Sequence, residues 1–189
     1  MTNDPFADYR PVLDAALTRA LDSLATSHAV LLNHQVEAPY DTSRDAGLLC
    51  LFAADALGAE PGAAEPAAVA LSLLDAMGAT FASLDDDEAP LARYGMPRSL
   101  NAGDGFFALA QSALLHIADV EDPDKHLAAV KLLDATCRAH AEDIRLQTSG
   151  APSLRNAAVE FAALAAGVPT ASLPADARAK IDAALQFRS

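Results

Sequence analysis

The sequence AVALSLLDAMGATFASL, residues 68–84, is apolar around almost its whole circumference when it is drawn as a helix. A helix at a protein surface shows one apolar stripe, whereas a helix that is apolar on every side must be covered on every side. Four acidic residues, 85–88, follow it directly. The stretch therefore predicts a central helix that is nearly surrounded by its neighbours and that ends at a run of carboxylates.

Amphipathic patterns on both sides of this stretch predict the helices that would surround it. Apolar residues recur there at three- and four-residue steps, separated by segments rich in Pro, Gly and charge. The predicted helices span residues 11–36, 47–58, 106–118, 124–146, 154–167 and 174–187. Asp41, Thr42 or Ser43 would cap the helix at 47–58, and Gly167 would end the one at 154–167. No segment reads as a strand, so we expect one all-α domain over residues 1–189.

The segment after the acidic run, residues 88–105, is interpreted as a polar turn. It contains Gly95, Pro97 and a Gly-Asp-Gly sequence. An Asp in such a loop can bond backbone N–H groups two or three residues further on, so Asp104 is predicted to form a cap or turn hydrogen bond. The next helix would begin at Phe106.

The composition argues against several classes of partner. Hydrophobic residues make up 52% of the chain but aromatic residues only 5%, and the formal net charge is −13. This negative charge repels phosphate groups. Neither nucleic acid nor an anionic membrane is therefore expected as a partner. No apolar run approaches the roughly 20 residues that span a bilayer, and the N-terminus lacks a signal-peptide pattern, so we expect a cytoplasmic protein. Cys50 and Cys137 are predicted to be small buried apolar residues.

The order of motifs resembles that of the trans-isoprenyl diphosphate synthase (polyprenyl synthetase) family. In that family a DDxxD motif closes a buried helix, an RRGxP turn follows, and a segment close to NAGDxxFALA opens the next helix. Here the acids at 85–88 are followed by RYG at 93–95 and by NAGDGFFALA at 101–110. Further on, HAED at 140–143 stands where the family has GQxxD, and residues 154–167 resemble the helix that carries a Lys-Thr pair.

The resemblance implies an isoprenoid-synthase-like antiparallel helical array, truncated at its C-terminus and divergent in its chemistry. The family's acidic motif holds Mg²⁺ ions that bridge an allylic diphosphate, and in this chain Asp85 and Glu88, at i and i+3, are the acids that could share a helix face and hold such an ion. The substrate-binding residues that the resemblance suggests are Arg44, Arg93, Phe106, Phe107 and His140. Phe106 and Phe107 could equally be ordinary core residues, which is the reading we favour.

Four departures from the family pattern fall on residues that would carry the chemistry. Asp85 has Ala89 at i+4, the turn keeps a single Arg, and the basic element before the second helix is reduced to Arg44. The sequence also stops at Ser189, where the family continues into the helices of its second aspartate-rich motif. The acidic run is therefore an altered Mg²⁺ site, a solvated helix end or a relic of an ancestral site.

Three functions fit these observations. The first is a non-catalytic or regulatory subunit of isoprenoid metabolism that pairs with a full-length synthase. The second is a divergent enzyme, a terpene cyclase or prenyltransferase, acting on a prenyl substrate through a reorganised acidic site. The third is a helical binding domain that has lost the substrate. We expect a homodimer or a heteromer formed through residues 103–118 and 124–147, because a truncated array leaves apolar surface uncovered.

Overall fold

The computed structural model describes residues 4–22, 44–60, 62–82, 84, 95–115 and 122–186. The described residues form helices and connecting turns, and no strand occurs among them. The α-helices are α1 (Arg10–Asp22), α2 (Asp45–Ala56), α3 (Glu65–Ala82), α4 (Met96–Leu115), α5 (Pro123–Arg145), α6 (Pro152–Ala166) and α7 (Ala175–Gln186). A single 3₁₀ turn, Thr170–Ser172, lies between the last two. The all-α fold class is thus confirmed.

The helix α3 is the centre of this array, as its apolar sequence predicts. It packs against α1, α2, α4, α5 and α6. Leu71, Leu73 and Leu74 project in different directions around the helix, yet each has no exposed surface. Because other helices cover most directions around α3 and leave only positions such as Ala79 and Ala82 exposed, an apolar side chain is stabilised at nearly every position.

The helix α4 corrects the prediction of a polar turn over residues 88–105. It begins at Met96, so the second half of the predicted turn is helical and Asp104 is an exposed residue inside the helix. The predicted cap at Asp104 is therefore wrong. Gly103 is buried against Phe81 of α3, and a Cβ there would clash with the Phe81 ring. This glycine permits a close contact between two helices rather than a turn.

The helix ends show which capping signals operate. The N-cap of α2 is Arg44, in a left-handed conformation with φ 54° and without a side-chain cap hydrogen bond, so the predicted cap position is wrong. The predicted capping residues lie outside the described part of the chain. The α5 N-terminus is capped by Asp122, whose carboxylate accepts from the Asp124 and Lys125 N–H groups, each at 3.1 Å. Gly167, with φ 67°, ends α6 as predicted.

Two further expectations concern membranes and cysteines. Over the described ranges, no helix combines the length and the apolar character that crossing a bilayer requires. Cys50 is fully buried in the core, and this burial raises the pKa of its thiol to about 12. Cys137 is only partly buried on α5. Cys50 thus behaves as the small apolar residue that was predicted, and Cys137 does so in part.

Candidate ligand site beside the central helix

Three of the predicted site residues, Asp85, Glu88 and Arg93, lie outside the described residues. Their roles in metal and substrate binding therefore stay predictions. Within the described ranges, no three His, Cys, Asp or Glu side chains come together as a metal site would require. Mg²⁺ binding rests only on the sequence pattern of Asp85 and Glu88.

Arg44 connects two helices. Its guanidinium pairs with the Asp14 carboxylate on α1, and the Arg44 side chain is only 17% exposed. A largely buried guanidinium whose charge is already balanced by a carboxylate attracts an incoming anion less strongly than an unpaired one. In this position Arg44 connects the start of α2 to α1 through an ion pair.

Phe106 belongs to the core. It has no exposed surface and packs within the cluster of buried residues that includes Leu109 and Leu114 of the same helix. Phe107 is half-buried and packs against the outside of this cluster. The core interpretation therefore accounts for the burial of Phe106 without a ligand.

His140 lies on α5 and contacts α3. The residue is only 4% exposed, and neither its Nδ1 nor its Nε2 has a hydrogen-bond partner among the described residues. The ring occupies the space above Gly78, where a Cβ would clash with His140 Nε2 and would lie 3.0 Å from Ile144 Cδ1. Burial lowers the pKa of His140 below its usual value, although the nearby Asp143 carboxylate acts in the opposite direction. The imidazole is therefore neutral near pH 7.

A cavity of about 380 Å³ opens beside His140. Small side chains of α3 form one wall, and polar groups from the end of α5 and the following turn form the other. The residues that line it are Asp75, Gly78, Ala79, Ala82, His140, Asp143, Ile144, Gln147, Thr148 and Ala151. Its lining thus includes two carboxylates, and no Lys or Arg among the described residues.

Asp143 connects two helices. Its Oδ2 accepts hydrogen bonds from the backbone N–H of Ser153, at 3.0 Å, and from the Ser153 hydroxyl. Ser153 is in the first turn of α6, where backbone N–H groups have no partner within the helix. The carboxylate therefore caps α6 and fixes its entry from α5.

A second cavity, of about 240 Å³, shares Asp75 and Ala151 with the first. Asp45 and Ala46, at the start of α2, and Arg155, in the first turns of α6, also line it. Sequence reasoning did not select Asp75 or Arg155. The available signal was that each is a single charge on an otherwise apolar part of its helix, in SLLDAM and SLRNAA. Such isolated charges on buried helices tend to face a cavity or a partner.

Among comparisons with known proteins, the solved structures identify the fold. No family model and no curated protein matches the chain. Among solved structures, a geranylgeranyl pyrophosphate synthase superposes with a TM-score of 0.74 at 19% identity, over 100% of this chain and 63% of that one. The chain has a polyprenyl synthetase-like fold. The expectation of an isoprenoid-synthase-like array is thereby confirmed, and the chain spans less than two thirds of that synthase.

A second solved structure with this polyprenyl synthetase-like fold is the geranyl diphosphate synthase small subunit from Antirrhinum majus. The TM-score is 0.70 at 15% identity, and the match covers 97% of this chain and 85% of that subunit. At such low identities the similarity establishes the fold and leaves the chemistry to the residues of the site.

Proposed function

We propose that this protein is a non-catalytic or regulatory subunit that pairs with a full-length prenyl diphosphate synthase. The observation that carries the proposal is that two of the described groups suited to an anion or a metal are used within the chain. Arg44 pairs with Asp14, and Asp143 caps α6 through Ser153. A diphosphate needs several converging cations or metal ions to offset the cost of removing it from water.

The charge around the candidate site supports the same proposal. The described lining of the two cavities carries Asp45, Asp75 and Asp143 against the single cation Arg155. This excess of negative charge disfavours a diphosphate in the absence of metal ions. The match to a small subunit over most of both chains is consistent with a role in a heteromer.

The helices α4 and α5 are the region through which we expect pairing, because both carry exposed leucines. On α4 the side chains of Leu100 and Leu115 are 42% and 59% exposed, and on α5 that of Leu127 is 50% exposed. Large apolar side chains at the surface of neighbouring helices favour a protein contact that removes them from water. A homodimer through this surface would compete with the heteromer.

The direct test is to mix the protein with each full-length prenyl diphosphate synthase of its host and to measure the mass of the product by light scattering. We expect a stable complex with one of them and a changed product distribution in its assay. Leu100→Asp and Leu115→Asp together should weaken the complex at least tenfold, because each places a charge in a contact that excludes water. Val12→Asp is the matched control, since Val12 is 40% exposed on α1.

Two results would count against the proposal. One is a chain that stays monomeric and binds none of the synthases. The other is prenyl elongation or cyclisation by the isolated chain in the presence of Mg²⁺. If Asp85→Ala abolished such an activity, the divergent enzyme would replace the subunit as the interpretation.

A further inference from the structure

A groove of about 280 Å³ lies where the start of α1, the second half of α2 and the start of α3 meet. Apolar side chains form part of its wall: Val12 of α1, Leu51 and Ala54 of α2, and Ala64 just before α3. Val12 is 40% exposed, so this apolar wall reaches the protein surface. An occupant that covered Val12 would remove apolar surface from water, which is favourable.

The charged residues in the described lining of this groove are carboxylates: Asp55, Glu60 and Glu65. The charge of Glu65 is balanced by Arg19, whose Nη2 lies 2.6 Å from Glu65 Oε2. Asp55 accepts a hydrogen bond of 2.8 Å from the Tyr9 hydroxyl, which is neutral and leaves the charge of the carboxylate in place. Asp55 and Glu60 are both exposed. The groove therefore combines an apolar wall with an excess of negative charge.

The hydroxyl of Tyr9, which also lines the groove, is in negatively charged surroundings. Burial, the hydrogen bond to Asp55 and the charges of Asp55 and Asp8 raise the pKa of Tyr9 to about 12. Both of these charges are carboxylates, and each disfavours a further negative charge on the phenol. The same two carboxylates would attract a cation that entered the groove.

We propose that this groove is a docking site for a partner protein, and that it receives from that partner an arginine side chain flanked by an apolar residue. The methylene stem of the arginine lies along the apolar wall, and its guanidinium pairs with Asp55 or Glu60. The flanking apolar residue covers Val12. Because none of the described lining residues belongs to α4 or α5, this inference does not depend on whether the protein pairs with a synthase.

The size and the composition of the groove select this occupant. A volume of about 280 Å³ lies just below the usual range of small-molecule sites, whereas a single long side chain needs less room. A bare metal ion would leave the apolar wall exposed, and no three metal-binding side chains converge within the described ranges. An anion would be repelled. Arginine joins an apolar stem to a guanidinium that can bond both oxygens of a carboxylate.

Four probes test the chemistry of the occupant. The first is the end-blocked peptide Gly-Ser-Leu-Arg-Leu-Ser-Gly, the second replaces its arginine by glutamine, the third replaces its leucines by serine, and the fourth is n-butylguanidine. Each is titrated into the whole ¹⁵N-labelled protein while the backbone NMR signals of Val12, Ala54 and Ala64 are followed. We expect the first peptide to shift these signals saturably and the other three probes to bind at least tenfold more weakly.

Three outcomes of this titration would overturn the proposal. One is the absence of a saturable shift with the first peptide. Another is equal affinity for either altered peptide, which would show that the charge or the apolar flank is not recognised. The third is equal affinity for n-butylguanidine, which would make the groove a site for a small organic cation instead of a protein segment.

Two double variants test the location of the site. Asp55→Asn with Glu60→Gln removes both charges but keeps an amide oxygen that can accept from the Tyr9 hydroxyl, so circular dichroism should show a folded chain while peptide binding weakens at least tenfold. The matched control is Glu160→Gln with Asp182→Asn, at exposed carboxylates of α6 and α7 outside the groove, which changes the net charge equally and should leave binding unchanged. Equal losses in both double variants would show only a general attraction to a chain of net charge −13, and would overturn the proposal, as would unchanged binding in both.

Discussion

The helices α4 and α5 both pack against the C-terminal half of α3 at a glycine that makes room for an aromatic ring. The two contacts differ in polarity. At α4, Gly103 makes room for the Phe81 ring of α3. At α5, Gly78 of α3 makes room for the His140 ring. The first contact is apolar on both sides, whereas the second buries two nitrogens without protein partners among the described residues. In both places a glycine makes room for an aromatic ring. The Gly103–Phe81 contact stabilises the fold, whereas the Gly78–His140 contact buries polar atoms without hydrogen bonds, which costs free energy.

The largest effect should come from the core that α4 contributes. We expect Phe106→Ala to lower the free energy of unfolding by about 3–5 kcal/mol, because the buried ring leaves a cavity between packed helices. Phe107→Ala is the neighbouring control, and its half-buried ring should cost clearly less. Urea denaturation followed by circular dichroism measures both. Equal losses would mean that α4 packs against α3 less closely than its burial indicates.

The α3–α4 contact itself can be tested at its glycine. Gly103→Ala should destabilise the fold by about 1–3 kcal/mol, because the added Cβ forces the Phe81 ring to move. Phe81→Leu in the same chain should restore part of this loss, and the double-mutant cycle measures the coupling. If the effects of the two substitutions on the free energy of unfolding were additive, Gly103 and Phe81 would not be energetically coupled.

A smaller effect is expected where α5 joins α6. Asp143→Ala should lower the free energy of unfolding by about 1–2 kcal/mol, because the N–H and the hydroxyl of Ser153 lose their acceptor. Asp143→Asn keeps an acceptor oxygen and should retain much of the stability. If both variants matched the unchanged protein, the carboxylate would be available for a ligand instead of the cap.

The contact between α3 and His140 of α5 should make the free energy of unfolding depend on pH. Since burial lowers the pKa of His140 in the folded chain, the unfolded chain binds a proton that the folded chain resists. Stability contributed by the neutral ring is therefore present above the unfolded pKa of about 6.5 and is lost as the pH falls toward the folded pKa. His140→Phe should flatten the pH dependence of urea midpoints below about pH 6.5.

The control for this pH effect is Thr136→Val, which changes a buried position one turn earlier on α5 without a titrating group. It should shift the midpoints while leaving their pH dependence as it was. A His140→Phe chain with an unchanged pH dependence would mean that the ring is not held neutral by its contact with α3.

Much of the helical frame could be predicted from local patterns. The all-round apolar character of α3, the amphipathic stripe of α5 and the terminating Gly167 each depend on residues that are close in sequence. The structure agrees with these predictions to within a few residues. The position of Phe106 in the core follows from the same kind of pattern.

The functional surface could be predicted only in part. His140 was selected from its place in the chain, but its lack of partners depends on Gly78, which lies in another helix. Asp75 and Arg155 were not selected, because nothing local indicates that α2, α3 and α6 enclose one cavity between them.

The sequence by itself determined that this protein is helical, that α3 is nearly surrounded by its neighbours and where several helices end, because periodicity and helix-end signals act over one or two turns. Only the tertiary structure decided that the Gly-Asp-Gly segment continues α4, that Arg44 pairs with Asp14 and that Asp143 caps α6. Each of these depends on how different helices pack against one another. A glycine that ends a helix and a glycine that admits a neighbouring ring have the same local sequence signal, and packing alone distinguishes them.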